Sequence, residues 1–482
     1  MDIFEEFIRN HEQDDTARLL LGRSRWPDLD MDLVVHTLEG RRRMRTKAPS
    51  WHAFYGLRYP TRLCTEQCSS EATARYKAAL ARRIVSSGPI VPSSSRPAPS
   101  QERRAAIADL TGGLGLDTWA FATSSCAGNP AGNPADSLPS CPARPDILPT
   151  VLHNEMNPDL SAAVRHNFAE LGLTNVTFRN QALAPGNLQE ILSGGSSCAH
   201  DGASTDGFKP DLIFLDPARR AADGSKVFRL EDCQPDILTL LPELLAAAPH
   251  LLLKISPMAD ISLVVSQLNA AARRTNTVRE VHIVGTDGEC KEMLLWLDRD
   301  WNADYTLHIS EIQDLDGTAK TLTFPAGTEA AAIPTFATLD DPAPDLLLFE
   351  PGKALAKAGL PNTLSQHYSL RKLSRHTHLY LLPEREDAAS SGDLQDEMNG
   401  TFAELRPFGK TYRILEAHEL TSKLLKTLHK TWPNAEVTAK DLPLTSDQLR
   451  TRLKVRPSND IHIFGCRINT TPILLITRVL PR

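Results

Sequence analysis

Short apolar runs alternate with amphipathic segments between residues 101 and 300. The apolar runs have the length of buried strands, and the segments between them place apolar residues on one stripe, as a helix does. Strands are predicted at 107–110, 148–153, 176–179, 211–215 and 250–255, and helices at 117–123, 159–171, 238–247 and 261–272. Two further runs, 278–284 and 292–297, flank a Thr-Asp-Gly turn and predict a terminal antiparallel hairpin. This alternation predicts an α/β fold built on a mostly parallel sheet.

The flanking regions follow other patterns. Residues 1–88 are predicted to be helical, with Phe4, Phe7 and Ile8 at helical spacing and a helix over 65–80. A proline- and serine-rich linker follows at 88–100, and low-complexity insertions interrupt the sheet region at 127–146 and 194–207. Residues 301–400 are mixed, with a strand at 346–349. Residues 401–482 predict a compact α+β unit with strands 412–416, 436–439, 460–466 and 472–478 and helices 420–432 and 446–453.

Composition narrows the class of protein. With 482 residues, 41% of them hydrophobic and 23% charged, the chain is typical of a soluble protein of two to four domains. No apolar run is long enough to span a bilayer, and the acidic N-terminus is unlike a signal peptide. The eight cysteines form no Cys-x-x-Cys pair, which favours reduced thiols in the cytoplasm over a disulfide framework or a zinc site at Cys64 and Cys68.

Charge is distributed unevenly along the chain. The net charge of −6 argues against a protein that binds nucleic acid over its whole surface. Residues 401–482 nevertheless carry +7, from 14 Lys and Arg against 7 Asp and Glu, and a second basic cluster contains Arg41, Arg42, Arg43, Arg45 and Lys47. Such patches attract phosphate, although a solvated surface explains them equally well.

A glycine turn follows the first strand of the predicted sheet, in Asp109-Leu-Thr-Gly-Gly-Leu-Gly-Leu-Asp117. Gly112, Gly113 and Gly115 would let the backbone approach a cofactor, although packing alone also explains such a turn. A dinucleotide would require Gly-x-Gly-x-x-Gly, and Thr118 occupies the place of the third glycine.

We expect the ends of the next strands to complete a site for S-adenosylmethionine. Asp109 would face the amino group of the methionine tail, Glu155 would accept from both ribose hydroxyls, and Gln181 would lie near the adenine. Thr111 and Asp117, inside the glycine segment, complete the predicted cofactor contacts. The glycine turn is followed later in the chain by an acidic-proline corner. The occurrence of both segments in this order indicates a methyltransferase.

That corner is Asp216-Pro217-Ala218-Arg219-Arg220, placed where open α/β sheets bind ligands. Asp216 and Pro217 would present the target group, and Arg219 and Arg220 would position it, unless the two arginines lie on a solvated loop. Methyltransferases that modify exocyclic amines of nucleic acids carry Asp/Asn-Pro-Pro-aromatic here, so Ala218 and Arg219 depart from that pattern.

Other reactive side chains lie near these segments. Lys254, Ser256 and Asp260 end the following strand and would shape the target pocket or cap the next helix. Cys290 lies between charged residues, but the sequence places no histidine partner for a nucleophile beside it. We therefore predict neither a covalent nucleophile nor a metal site.

Together these segments resemble bacterial class I methyltransferases with a C-terminal THUMP-like domain. The segments that carry the resemblance are Glu66-Gln-Cys-Ser-Ser-Glu71, the glycine segment, Leu215-Asp-Pro-Ala-Arg-Arg220, Leu253-Lys-Ile-Ser-Pro257, Gly288-Glu-Cys-Lys-Glu292, Phe349-Glu-Pro-Gly-Lys-Ala-Leu-Ala-Lys-Ala-Gly359 and Val437-Thr-Ala-Lys-Asp-Leu-Pro-Leu444. The resemblance implies a helical region over 1–88, a Rossmann-like class I methyltransferase domain over 101–300, a small ferredoxin-like connecting segment over 301–400 and a THUMP-like domain over 401–482.

The resemblance also implies a function. THUMP domains bind structured RNA, so we expect an S-adenosylmethionine-dependent enzyme that methylates a base of tRNA or rRNA. The basic residues of the C-terminal region agree with this expectation; they are Lys423, Lys426, Lys430, Lys440, Arg450, Arg452, Lys454 and Arg456. The alternatives are a DNA or protein methyltransferase and a non-catalytic RNA-binding protein on the same fold.

Overall fold

A computed structural model describes residues 2–87, 104–124, 148–194, 207–219, 230–382 and 400–481. The linker, the insertion at 127–146, nearly all of the insertion at 194–207 and Arg220 lie outside the described residues. The chain divides into two compact units. The first comprises 1–284, 292–308 and 312–320, and the second comprises 285–291, 309–311 and 321–482.

The helices are α1 Ile3–Asn10, α2 Thr16–Leu21, α3 Met31–Lys47, α4 Pro49–His52, α5 Arg62–Gln67, α6 Glu71–Ser86, α7 Leu116–Thr123, α8 Pro158–Glu170, α9 Leu188–Ser193, α10 Ile237–Ala247, α11 Ile261–Ala271, α12 Thr328–Ala331, α13 Lys353–Lys357, α14 Pro361–His367, α15 Thr401–Leu405, α16 Ser422–Thr427 and α17 Ser446–Leu453. Short 3₁₀ helices cover Arg23–Arg25, Leu230–Asp232, Arg406–Phe408 and Leu428–Lys430. Among the described residues, no helix is both long enough and apolar enough to cross a bilayer.

The strands are β1 Ala106–Asp109, β2 Thr150–Asn154, β3 Val176–Arg179, β4 Leu212–Leu215, β5 Ala218–Arg219, β6 Cys233–Gln234, β7 His250–Ile255, β8 Val278–Thr286, β9 Glu289–Asp298, β10 Thr306–Ile312, β11 Ala319–Pro325, β12 Thr335–Phe336, β13 Leu347–Pro351, β14 Arg371–Lys372, β15 Tyr380–Leu381, β16 Gly409–Glu419, β17 Glu436–Ala439, β18 Ile461–Ile468 and β19 Thr471–Val479. The predicted alternation of strands and helices between β1 and α11 is therefore present, with ends displaced by one or two residues.

Nine strands form one sheet in the order β11-β10-β8-β9-β7-β4-β1-β2-β3. The pairs β1–β2, β2–β3, β1–β4 and β4–β7 are parallel, and β9 is antiparallel to β7. From β1 the chain moves to one side through β2 and β3 and then crosses to the other side for β4 and β7. The carboxyl ends of β1 and β4 consequently flank the point where the strand order reverses, which is where open α/β sheets bind ligands.

The predicted hairpin is formed by β8 and β9. Its two-residue turn, Asp287 and Gly288, has positive φ at both positions, as a type I′ turn requires. The turn Asp-Gly suits this geometry because glycine tolerates positive φ and aspartate tolerates it better than most residues.

A buried core joins the N-terminal helices to the nine-stranded sheet. Trp51 is fully buried and meets Trp119 of α7 and Phe168 of α8 in edge-on contacts, with ring centroids 6.2 and 6.3 Å apart. The same apolar cluster includes Phe214 of β4 and Trp296 of β9. Helices of the N-terminal region therefore belong to the core of the first unit.

The prediction of one continuous helix over 65–80 was wrong. The structure has α5 and α6 instead, with an extended Cys68 between them and Ser70 as the N-cap of α6. The Ser70 hydroxyl accepts a hydrogen bond from the backbone N–H of Thr73, which begins a new helix.

In the second unit, eight strands form a sheet in the order β12-β14-β15-β13-β16-β19-β18-β17. The predicted helix over 420–432 is shorter, because α16 ends at Thr427 and a 3₁₀ turn covers Leu428–Lys430. The Thr427 hydroxyl donates to the carbonyl oxygen of Lys423, a local contact that competes with regular helix geometry.

Candidate cofactor and target site

The glycine turn lies between β1 and α7. Adding a Cβ to Gly112 would place it 2.1 Å from the His153 ring, and adding one to Gly115 would place it 2.9 Å from Phe168. Gly113 has φ +54°, and a Cβ there would meet no atom within 4 Å. The expectation that all three glycines leave room for a ligand therefore needs correction. Packing requires Gly112 and Gly115, whereas Gly113 faces open space.

Asp109 lies beneath this turn and does not face its open side, contrary to the expectation for it. The side chain is 1% exposed, and its carboxyl group accepts from the backbone N–H of Thr111 and from the Thr118 hydroxyl, at 3.3 and 2.6 Å. Burial raises the pKa of Asp109 to about 8. The Thr118 hydroxyl also lies 2.8 Å from Nδ1 of His153, whose pKa burial lowers to about 3. Asp109 thus supports the turn from the protein interior.

Glu155 follows β2 and reaches across to the turn. Its Oε2 accepts from the backbone N–H of Gly113 at 2.9 Å, and its Oε1 accepts from the N–H of Asn157 at 2.8 Å. A carboxylate has further acceptor positions, so these two bonds leave capacity for hydroxyl donors. The carboxylate that was predicted to hold the ribose is therefore beside the open glycine.

Gln181 follows β3, one strand further along the same edge. Its Nε2 donates to Glu190 at 3.3 Å, while its Oε1 is buried without a hydrogen-bond partner among the described residues. A buried acceptor without a partner is unfavourable unless a donor arrives, and the amino group of an adenine is such a donor. Gln181 therefore offers a hydrogen-bond acceptor at this strand end, and its role near an adenine stays a prediction.

Asn154, which the sequence analysis did not single out, holds these three strand ends together. Its Nδ2 donates to the carbonyl oxygens of Leu110 and Gln181, and its Oδ1 accepts from the N–H of Gln181. Its carbonyl oxygen accepts from the N–H of Gly112 at 2.8 Å. The sequence does contain a signal for this role of Asn154, because an asparagine that ends an apolar strand requires polar partners at the sheet edge.

The acidic-proline corner joins the turn through Thr111. The Thr111 hydroxyl accepts from the backbone N–H of Asp216 at 2.7 Å, and the Asp216 carboxylate accepts from Nζ of Lys254 on β7. Pro217 is buried. The backbone of Arg219 pairs with Cys233 in the short β5–β6 ladder, so this segment is a strand rather than a loop.

Asp117 was predicted to contact the cofactor, and the structure places it in a buried ion cluster instead. Nζ of Lys77, on α6, lies 3.2 Å from Asp117 and 2.8 Å from Glu292 of β9. The hydroxyl of Ser69, the first of the two serines in the Glu66–Glu71 segment, donates to Asp117 at 2.8 Å. Lys254 lies 3.9 Å from Glu292 on the other side. Burial raises the pKa of Glu292, while the two lysines oppose that rise.

The remaining candidates near this edge have structural roles. Asp260 caps α11 by accepting from the N–H of Leu263 at 2.8 Å, and Ser256 accepts from the N–H of Met258 at 3.2 Å.

The cysteines do not favour reactive thiolates. Burial raises the pKa of Cys64, and that of Cys68 to about 11, which disfavours the thiolate that a metal would need. Cys290 is half-buried on β9.

A second group of titratable side chains lies on β8 and β10. Glu280, His282 and His308 place potential metal-ligand atoms within 4.8 Å of one another. The Arg83 guanidinium donates to both oxygens of Glu280, and the Tyr76 hydroxyl lies 3.0 Å from Nδ1 of His282. A fixed side-chain cation therefore neutralises the carboxylate that would otherwise attract a metal ion.

The two basic clusters differ in what surrounds them. Arg41 is fully buried and bonds to Glu12 and to backbone carbonyls, and Lys47 donates to the carbonyl oxygens of Thr65 and Glu66. Arg41 and Lys47 therefore serve in internal contacts, whereas Arg42 and Arg45 of the same cluster are exposed. In the C-terminal region Lys440 pairs with Glu350 at 2.7 Å. Exposed cations of helices α16 and α17 and of the turns that follow them are Lys423, Lys426, Lys430, Arg452, Lys454 and Arg456.

Comparison with known proteins adds family information to this geometry. Residues 409–479 match the family described as THUMP domain-like, and residues 347–387 match a ferredoxin-like domain. No curated protein matches the chain. The crystal structure of a candidate methyltransferase from Porphyromonas gingivalis W83 covers 99% of this chain and 98% of that chain, with 23% identity and a TM-score of 0.71. The chain has a methyltransferase fold and a THUMP-like C-terminal domain.

Two other solved structures are more distant. A candidate class I S-adenosylmethionine-dependent methyltransferase from Listeria monocytogenes is 10% identical and covers 64% of this chain and 93% of that chain, with a TM-score of 0.31. An S-adenosylmethionine-dependent methyltransferase from Agrobacterium tumefaciens is 14% identical and covers 57% and 63%, with a TM-score of 0.26. Both likenesses are too weak to add to the first.

Replacing Lys77 by methionine should destabilise the methyltransferase fold, because two buried carboxylates lose their cation. We expect the free energy of unfolding in urea to fall by about 3–5 kcal/mol. Protonation relieves an unpaired carboxylate, so the decrease should be larger at pH 8 than at pH 5. Lys209→Met, at an exposed position, is the matched control. Equal unfolding curves for the two variants would contradict the assigned role of the Lys77 ion cluster.

Asp109→Asn should change the pH dependence of stability. The raised pKa of Asp109 means that the unfolded chain releases this proton first, so the wild type loses stability as pH rises from about 4 to 8. Asparagine does not ionise, so the stability of the variant relative to wild type should increase by roughly 5 kcal/mol across that range. Unfolding in urea at pH 4, 6 and 8 measures this, with Asp304→Asn as an exposed control. A difference independent of pH would show that the Asp109 carboxyl is not perturbed.

Proposed function

We propose that this protein is an S-adenosylmethionine-dependent methyltransferase that acts on a base of structured RNA. The observation that carries the proposal is the arrangement at three neighbouring strand ends. Gly113 faces open space, Glu155 lies against it, and Gln181 offers a buried acceptor without a partner among the described residues. These three features occur in the order that the tail, ribose and adenine of the cofactor require.

The residues present fit that cofactor. Glu155 would accept from the ribose hydroxyls, Gln181 Oε1 from the adenine amine, and the backbone at Gly113 would pass close to the methionine part. When bound, S-adenosylmethionine supplies an electrophilic methyl group on a positively charged sulfur. The protein's contribution is to orient a nucleophile toward that methyl group and to exclude water.

The acceptor would lie at Asp216. Thr111 links the backbone of Asp216 directly to the glycine turn, so the corner and the cofactor position share one hydrogen-bonded frame. Pro217 fixes the backbone after Asp216, since its ring restricts φ. The described residues therefore support a target group placed beside Asp216, whereas the roles of Arg219 and Arg220 rest on the sequence alone.

RNA is the acceptor favoured by the THUMP-like domain and by its charge. Helix α17 buries its leucines in an apolar cluster, and the half-buried leucines of α16 pack against the same cluster. The two helices expose Lys423, Lys426 and Arg452. Lys430, Lys454 and Arg456 are exposed close to their ends. Cations exposed in this way are suited to phosphate contacts whose strength depends on salt.

Cofactor binding is tested by titration calorimetry with S-adenosylmethionine, in the absence and presence of bulk tRNA. We expect binding by the wild type and at least tenfold weaker binding by Glu155→Ala, a decrease of about 1.4 kcal/mol in binding free energy. Glu155→Gln keeps one acceptor oxygen and should fall between them. Glu170→Ala, exposed on α8, is the control. No binding by the folded wild type, with or without tRNA, would overturn the proposed function.

RNA binding is tested with the triple variant Lys423→Glu, Lys426→Glu, Lys430→Glu. Its affinity for bulk tRNA should fall, and the slope of log K against log salt concentration should decrease by about 1 for each phosphate that the protein no longer neutralises. The control reverses three exposed cations of the first unit, Lys209, Arg273 and Arg274, with the same change in net charge. If the affinity of both variants falls equally, only net charge matters and the C-terminal surface has no special role.

A further inference from the structure

An acceptor and a donor lie side by side where β4 and β7 end. Leu215 and Leu253 are paired in the register of these strands, and the next residues are Asp216 and Lys254. Nζ of Lys254 donates to Oδ2 of Asp216, and the side chains are 15% and 34% exposed, respectively. The pair is therefore built into the sheet edge and is still accessible from it.

Both side chains are held in position, and Lys254 keeps its positive charge. Thr111 holds the backbone of Asp216, and Glu292, itself bonded to Lys77, lies 3.9 Å from Nζ of Lys254. Burial opposes the charged ammonium, but the carboxylates of Asp216 and Glu292 outweigh burial and hold the pKa of Lys254 above its ordinary value. Lys254 is consequently a permanent donor and cannot act as a base.

Such a pair complements a particular edge of a nucleobase. A ring N–H next to a carbonyl, as in guanine or uracil, presents a donor to Asp216 and an acceptor to Lys254. An exocyclic amine next to a ring nitrogen could form the same two hydrogen bonds. An ammonium bonded to that ring nitrogen, however, would withdraw electrons from the amine and make it a poorer nucleophile. Arg219 also stands where amine methyltransferases carry the aromatic residue that stacks on the target base.

We propose that the methylated atom is a ring nitrogen that bears a proton beside a carbonyl, with Asp216 as the base and Lys254 as the donor to the carbonyl oxygen. This inference rests on the proposed function and specifies its substrate as guanine or uracil in RNA. Asp216 is then a catalytic residue because its carboxylate takes the proton of the reacting atom.

The step balances with these two side chains and the cofactor. An oxygen of Asp216 accepts the proton of the ring N–H, and the N–H electron pair remains on the ring. The resulting negative charge is shared with the carbonyl oxygen, where the Lys254 ammonium stabilises it. The ring nitrogen forms a bond to the methyl carbon as the carbon–sulfur bond breaks, and that electron pair stays on sulfur as a neutral thioether. Asp216 finally releases its proton to water.

The product distinguishes the two kinds of target. RNA from cells that lack the protein is incubated with the purified full-length chain and methyl-labelled S-adenosylmethionine, and the digested nucleosides are identified by mass spectrometry. We expect the label on a ring nitrogen of guanosine or uridine. Label on an exocyclic amine would overturn this inference and leave the proposed function intact, whereas failure to bind S-adenosylmethionine would overturn the proposed function itself.

The variants test the role of each side chain. Asp216→Asn keeps an acceptor oxygen but cannot take a proton, so its rate at neutral pH should fall by about 100-fold or more. Its rate should continue to rise toward alkaline pH. Without a proton acceptor at position 216, the ring N–H of the nucleobase must lose its proton to the solvent. Lys254→Met should also be slow, and Lys254→Arg should recover part of the rate. All three should bind S-adenosylmethionine as the wild type does. An Asp216→Asn variant with the wild-type rate and pH profile would overturn the inference.

Discussion

The buried ammonium of Lys77 is the constraint on which the first unit depends. It sits on an N-terminal helix, yet both of its close carboxylate partners, Asp117 and Glu292, belong to the sheet region. A buried ion cluster adds little net stability compared with apolar packing, but removing one member leaves charges that nothing compensates. The cluster therefore fixes the position of α6 against α7 and β9 more than it stabilises them. The N-terminal helices are consequently an integral part of the methyltransferase fold.

The same cluster extends by one step to the candidate target site. Glu292 lies between Lys77 and Lys254, and Lys254 bonds to Asp216. On the opposite side of Asp216, Thr111 connects it to the glycine turn. A continuous set of polar contacts thus joins the interior of the protein to the carboxyl edge of the sheet. Methyl transfer requires precise orientation of the reacting groups, and we infer that this frame supplies it at Asp216.

Periodicity made the sheet region predictable, because buried strands and one-sided helices leave patterns within a few residues. The hairpin was predictable for the same reason. The ion cluster was not, since Lys77 and Glu292 are 215 positions apart and no local pattern connects them. The break before α6 depends on the side chain of Ser70 bonding to the nearby backbone, which a helical pattern conceals. Gly112 was assigned to a ligand because the sequence does not show that the His153 ring lies against it.

Basic residues illustrate the limit of composition as evidence. Arg41 and Lys440 contribute equally to a count of positive charge, but one is buried against Glu12 and the other pairs with Glu350. Neither side chain can bind phosphate without first breaking its internal ion pair. The free energy needed to break that pair exceeds the free energy gained from an exposed contact with phosphate. Lys423 and Lys426 have no such partner among the described residues, and they lie on a short exposed helix. The positive charge that can meet phosphate is therefore the part that stays exposed and unpaired, and Lys423 and Lys426 supply such charge in the THUMP-like domain.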